Sequence, residues 1–142
     1  MRALLDVNVL VALLARQHLD HARAHVWLAQ HLTEGWASCP LTENGCVRVL
    51  TNPRYPVQLA AAEVLAKLGT AKSSGHHEFW ADDLSVTDST VFERNRFGGH
   101  QQVTDMYLLA LAVKHGGRLV TFATGIVLDA VKGADASHLV AL

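Results

Sequence analysis

A chain of 142 residues, half of them apolar and 18% charged, is long enough to bury a core as one domain and too apolar to be disordered. Its formal net charge of −1 gives no global basic field of the kind that advertises nucleic acid, and no apolar run approaches the roughly 20 residues that cross a membrane. Cys39 and Cys46 are the only cysteines and form no CxxC pair, so neither a disulfide framework nor a thiolate zinc site is signalled; with no signal-peptide pattern at the start, a cytoplasmic location is expected.

In chain order, Leu4-Leu5 with Val7 reads as a fully buried strand, followed directly by a helix through Val9–Leu14. A second helix is expected over Ala22–Leu32, with His18, His21 and His25 near its start. Trp36–Cys39 is a short strand, and Pro40 opens a helix running to about Leu50. Asn52-Pro53-Arg54-Tyr55-Pro56 is the clearest break, and an alanine-rich helix from Gln58 to Leu68 is stopped by Gly69. Residues Lys72–His77 read as a loop, Leu84–Thr87 as a weak strand, and Asp88-Ser89 as the cap of a short helix through Glu93. After a Phe97–His100 loop, Val103–His115 is the strongest helix, ended by Gly116-Gly117. Leu119–Phe122 and Leu139–Leu142 complete the strands. Short apolar strands alternating with helices indicate an α/β domain, residues 1–142, with a parallel sheet covered on both faces.

Asp6 closes the first apolar run, and Glu43 and Asp105 each head the apolar stripe of a helix. Buried carboxylates are costly unless paired, protonated or metal-bound. In an open α/β sheet, sites form beyond the carboxyl ends of the strands, which is where these three acids can converge. Crowded carboxylates with oxygen-only donors suit Mg²⁺ or Mn²⁺, and such a site typically activates water for phosphodiester cleavage. A structural reading stands beside this one. First-turn acids such as Glu43 and Asp105 are favoured by the helix dipole, and Asp6 can cap the next helix.

Asn8 either orients a carboxylate or caps the first helix, and Thr121 can hydrogen-bond within the site. Thr42 and Thr104 read as capping residues, and Arg48 as a phosphate contact or a solvated helix arginine. The three histidines read as a surface cluster, having no convergent carboxylate or cysteine. A phosphotransferase of the haloacid-dehalogenase type would want a second acid at position 8, where Asn8 stands.

Three segments, Leu4–Leu10, Leu41–Pro53 and Val103–Ala112, together and in this order resemble the PIN-domain nucleases, and among them the VapC toxins of type II toxin–antitoxin systems. The resemblance spans essentially the whole chain. It implies a three-layer α/β/α PIN-like domain and a toxin that hydrolyses RNA as an endoribonuclease using Mg²⁺ or Mn²⁺. Asp6, Glu43 and Asp105 match the acids that hold metal and position the attacking water, with Asn8 and Thr121 in support. It also implies a homodimer and a hetero-oligomer with a VapB-type antitoxin that lays a segment across the active groove. One departure stands out: the family's Thr-x-Asp is here Thr121-Phe122-Ala123, with alanine at the fourth acidic position. That implies weakened binding of a second metal and attenuated cleavage. The readings left open are a natural three-acid enzyme, a deliberate exchange that lets a toxic chain be produced, and a catalytically silent module that binds antitoxin or RNA.

Overall fold

The computed structural model describes residues 1–142. Five strands, β1 (Ala3–Leu5), β2 (Trp36–Ser38), β3 (His77–Phe79), β4 (Arg118–Thr121) and β5 (Leu139–Ala141), form one sheet in the order β3-β2-β1-β4-β5. Every pairing is parallel, with Ala3 opposite both Trp36 and Arg118, and Leu119 opposite Leu139. The helices are α1 (Val7–Leu14), α2 (His21–His31), α3 (Pro40–Thr51), α4 (Ala61–Lys72) and α5 (Val103–Lys114).

The side-chain alternation of the strands divides the core in two. Ala3, Leu5, Trp36 and Val120 pack on one face with Val9, Leu10, Cys46, Leu50 and Val64 from α1, α3 and α4. Leu4, Ala37 and Leu119 pack on the other with α5, from Tyr107 to Ala112. The result is the three-layer α/β/α arrangement. Residues Met106–Ala112 of α5 are all buried, so this helix is enclosed all round and not amphipathic as its stripe suggested. Its outer side is covered by Leu84, Val91, Phe92, Phe97 and Val131. Gly116, at φ +63, turns the chain after α5 without the steric cost a side chain would add.

Four local expectations are corrected. The weak strand expected over Leu84–Thr87 joins no ladder; it packs Leu84 on α5 and then enters a turn. A strand lies instead at His77–Phe79, beginning at the last residue of the Lys72–His77 segment that reads as a loop. It is fixed by pairing with β2, by the Trp36–His77 ring contact at 4.3 Å, and by Arg2 donating to the Trp36 and His76 carbonyls. The short helix expected to end at Glu93 is replaced by turns, and a single 3-10 turn occupies Arg94–Arg96. Gly69 does not stop α4, which runs to Lys72. No helix is long and apolar enough to cross a membrane.

The chain steps outward from β1 through β2 to β3, then returns through α5 to β4 and β5. The strand order therefore reverses between β1 and β4, the crevice in which open α/β sheets bind ligands. Asp6 directly follows β1, and Thr121 ends β4.

Candidate active site

Asp6 is 5% exposed and begins α1 in extended conformation, its Oδ1 accepting from the Val7 amide at 2.7 Å. It is thus the helix cap, and Asn8 is not. The other oxygen, Oδ2, accepts from the hydroxyl of fully buried Thr121 at 2.6 Å. That hydroxyl in turn accepts from Asn8 Nδ2 at 3.3 Å and from the Ala123 amide at 2.9 Å. One donor and two acceptor sites exhaust what a threonine hydroxyl offers, so its proton is aimed at Asp6 and nowhere else. Asn8 is itself fixed, because its Oδ1 accepts from the Phe122 amide at 3.2 Å. The sequence places Asn8 and Thr121 beside the site without indicating this closed network across β1, α1 and β4.

Asp105, in the first turn of α5, comes to the same edge from the opposite layer. It takes part in none of the ion pairs of the molecule. Burial pushes its carboxyl above the ordinary aspartate range, and the charge of Asp6 pushes it further. Burial likewise pushes Asp6 up, opposed by the hydrogen bonds from Thr121 and Val7. The two carboxylates therefore form one electrostatic unit with no cation of its own.

Glu43 is positioned differently. The first turn of α3 is set by Pro40 and by Thr42, whose hydroxyl accepts from the Cys39 amide at 3.0 Å and donates to the Cys39 carbonyl at 3.1 Å. From that turn Glu43 reaches Lys72 Nζ, 2.5 Å from Oε1, at the end of α4. No three His, Cys, Asp or Glu side chains stand together as a ready metal cage. The structure thus brings Asp6, Asn8, Thr121 and Asp105 together, while Glu43 is held by a lysine. Lys72 is the residue that sequence reasoning missed, since nothing local marks a lysine 29 positions from its partner. Ala123 contributes its backbone amide to the network and no carboxylate.

The remaining candidates take simpler places. Thr42 caps as expected, whereas Thr104 is an exposed residue inside α5. Arg48 is an exposed helix arginine. His21 Nδ1 and His25 Nε2 lie 2.8 and 3.0 Å from the Ala12 and Leu13 carbonyls, satisfying the end of α1 and not a metal. Cys46 is fully buried and its thiol is pushed up to about 12, by burial first and by Glu43 second, which leaves it an inert core residue. A concavity of about 580 Å³ lies away from the acids, between the α1–α2 and α3–α4 connections, and is lined in part by Leu14, Leu19, Tyr55 and Val57.

The PIN domain family model matches residues 3–131. The chain belongs to the PIN-domain family. Across all 142 residues this PIN domain is 52% identical to Ribonuclease VapC44 of Mycobacterium tuberculosis, with 100% of each chain covered. It is 47% identical over 125 residues to Ribonuclease VapC38 of the same organism, covering 87% of this chain and 86% of that one. Ribonuclease VapC39, also from that organism, is 41% identical over 134 residues, 94% of this chain and 96% of the relative. These relatives place the domain in the VapC branch. A solved structure, VapBC2 from Rickettsia felis bound to a DNA fragment from its promoter, matches with a TM-score of 0.58 over 87% of this chain and 89% of that one; at 14% identity it is a likeness of fold.

The donor set can be tested against a divalent cation on this geometry. Two carboxylates that burial pushes toward protonation, Asp105 further by the charge of Asp6, are relieved by a cation between them. Mg²⁺ is commonly held by one or two carboxylates and keeps several waters. Asp6 and Asp105 fit that description.

Proposed function

We propose that this PIN domain is the toxin of a type II toxin–antitoxin pair, an endoribonuclease dependent on Mg²⁺ or Mn²⁺ and attenuated by Ala123. The observation that carries the reading is the buried Asp6 carboxylate, fixed by Thr121 and Asn8 at the sheet's switch point beside the unpaired Asp105. Asp6 and Asp105 would hold the cation, with Glu43 joining them when it leaves Lys72. When bound, the cation supplies Lewis-acid stabilisation of the scissile phosphate and a more acidic water.

The chain's own residues do the positioning. Thr121 holds one Asp6 oxygen and the Val7 amide the other, so the carboxylate keeps one orientation, and both hydrogen bonds oppose the protonation that burial favours. Asn8 locks Thr121, and through Phe122 it ties the end of β4 to α1. Such preorganisation spares the site reorganisation as phosphate charge develops. Ala123 removes one anionic donor, so the domain works with a weaker hold on metal.

A VapB-type antitoxin is the proposed partner, by analogy with the VapBC2 pair, and homodimerisation is proposed with it. The apolar concavity near Leu14, Tyr55 and Val57 offers such a partner a contact surface. The competing reading, a silent module that binds antitoxin or RNA, is favoured by Ala123 and by the engagement of Glu43 with Lys72. Incubating RNA with the domain and Mn²⁺ separates them. Cleavage that chelation stops and Asp6→Asn abolishes supports the nuclease; RNA binding without cleavage at any Mn²⁺ concentration supports the silent module.

A further inference from the structure

Lys72 is the last residue of α4, where the carbonyl end of the helix favours a cation. Its Nζ lies 2.5 Å from Glu43 Oε1 and 4.7 Å from the centre of the Phe79 ring. The ring face and the carboxylate are thus two attractive partners for one ammonium. The lysine and glutamate side chains are 31% and 15% exposed, so the pair is half-buried and is screened less than a surface pair. Beside it, the Ser38 hydroxyl and His77 Nε2 lie 2.7 Å apart, and His77 is pushed below the ordinary histidine range by burial first and by Lys72 second. The lysine therefore sits in a defined setting on β3 and α3, whereas Asp6 and Asp105 have no ion pair at all.

We propose that Lys72 is a built-in counter-ion of the acidic site, a positioning residue that competes with the divalent cation for Glu43. The inference rests on the reading of Asp6, Glu43 and Asp105 as a cation site. Glu43 has one carboxylate to give, and the ammonium engages it while no cluster of three acids forms. A cation that recruits Glu43 must first break this pair. Lys72 thereby sets how tightly the site loads and how completely its third acid takes part. A plain staple between α3 and α4 would hold the same ion pair, but would leave cation affinity unchanged when removed.

The test is Mn²⁺ binding to the full chain by titration calorimetry, for the unaltered protein, Lys72→Met, Lys72→Arg, Glu43→Gln and the Glu43→Gln/Lys72→Met pair. Loss of an ion pair of this exposure predicts that Lys72→Met binds Mn²⁺ about fivefold more tightly, the scale of a favourable surface pair. Lys72→Arg, which keeps the pair, binds like the unaltered chain. In the Glu43→Gln background, Lys72→Met changes the affinity by less than about twofold, because the competition is gone. Equal or weaker binding by Lys72→Met overturns the proposal and leaves the cation site standing. An equal gain in the Glu43→Gln background also overturns it, assigning the effect to long-range repulsion. Absence of Mn²⁺ binding in both the unaltered chain and Lys72→Met overturns this proposal and the cation site together. Thermal unfolding run beside the titration checks that each variant is folded; Lys72→Gln replaces Lys72→Met if the latter is not.

Discussion

Thr121→Val isolates the network at the centre of the site, because valine keeps the β-branched shape and removes only the hydroxyl. Three interactions disappear: the bond donated to Asp6 at 2.6 Å, and the two accepted from Asn8 and the Ala123 amide at 3.3 and 2.9 Å. A hydrogen bond to a charged group contributes roughly 1.5–3 kcal/mol, and each neutral donor left without its acceptor costs about 1 kcal/mol more. The gained methyl offsets about 1 kcal/mol, since Thr121 is fully buried. The expected net loss at neutral pH is about 2.5–4 kcal/mol, measured by urea unfolding in chelator.

The pH dependence gives this prediction a second edge. The Thr121 hydrogen bond holds Asp6 down, so the variant raises the Asp6 carboxyl further above its ordinary range. Below that range Asp6 is neutral in both proteins and the lost bond is an ordinary neutral one of about 1 kcal/mol. The penalty therefore shrinks as the pH falls through the Asp6 titration. A loss under about 0.5 kcal/mol at neutral pH, or one that grows in acid, refutes the assignment of Thr121 as the group that holds ionised Asp6.

Asp105→Asn is expected to stabilise the metal-free fold near neutral pH by about 0.5 kcal/mol, a small value because the partly exposed carboxylate is screened. The sign follows from the raised folded-state carboxyl: its contribution is fully present below the unfolded aspartate range and is lost as pH rises through the folded one. Unfolding curves at acidic and neutral pH should show a gain confined to the higher pH, and destabilisation there would contradict it. Gly45→Ala is expected to cost about 1–3 kcal/mol, because an added Cβ would meet Val7 Cγ2 at 2.6 Å where α3 crosses α1; an unchanged melting temperature would refute that close packing. Leu109→Ala, deep in the α5 core, is expected to cost about 2–5 kcal/mol, read from the same denaturation curves, and a loss under 1 kcal/mol would mean that α5 is not enclosed.

The parts of the fold legible in the sequence are those where one pattern dominates. The apolar run ending at Asp6, the Pro40-initiated helix and the Val103 helix stopped by Gly116 are each declared by adjacent residues. β3 was illegible because His77-Glu78-Phe79 is an edge strand without an apolar run, specified by Trp36 and Arg2 from distant parts of the chain. Leu84 and Val86 have the spacing of a strand, but packing of Leu84 with the α5 cluster explains the first, and the segment is no part of the five-stranded sheet. At the site, the type and edge of Asp6, Asn8, Asp105 and Thr121 could be read, because strand ends and helix starts meet there. The partner of each group could not. Whether Glu43 faces Asp6 or Lys72 depends on how α3 packs against α4, which is a tertiary property.

The most direct test of the account is the rate of RNA cleavage at fixed Mn²⁺ for three chains: the unaltered protein, Ala123→Asp, and Ala123→Asp/Asp6→Asn. If the edge between β1 and β4 is a nuclease site short of one anionic donor, Ala123→Asp cleaves at least tenfold faster than the unaltered chain, on the order of one catalytic charge contact. Adding Asp6→Asn, or removing the metal with chelator, abolishes that gain. Cleavage that survives Asp6→Asn, or its absence in folded Ala123→Asp with Mn²⁺ bound, would contradict the account.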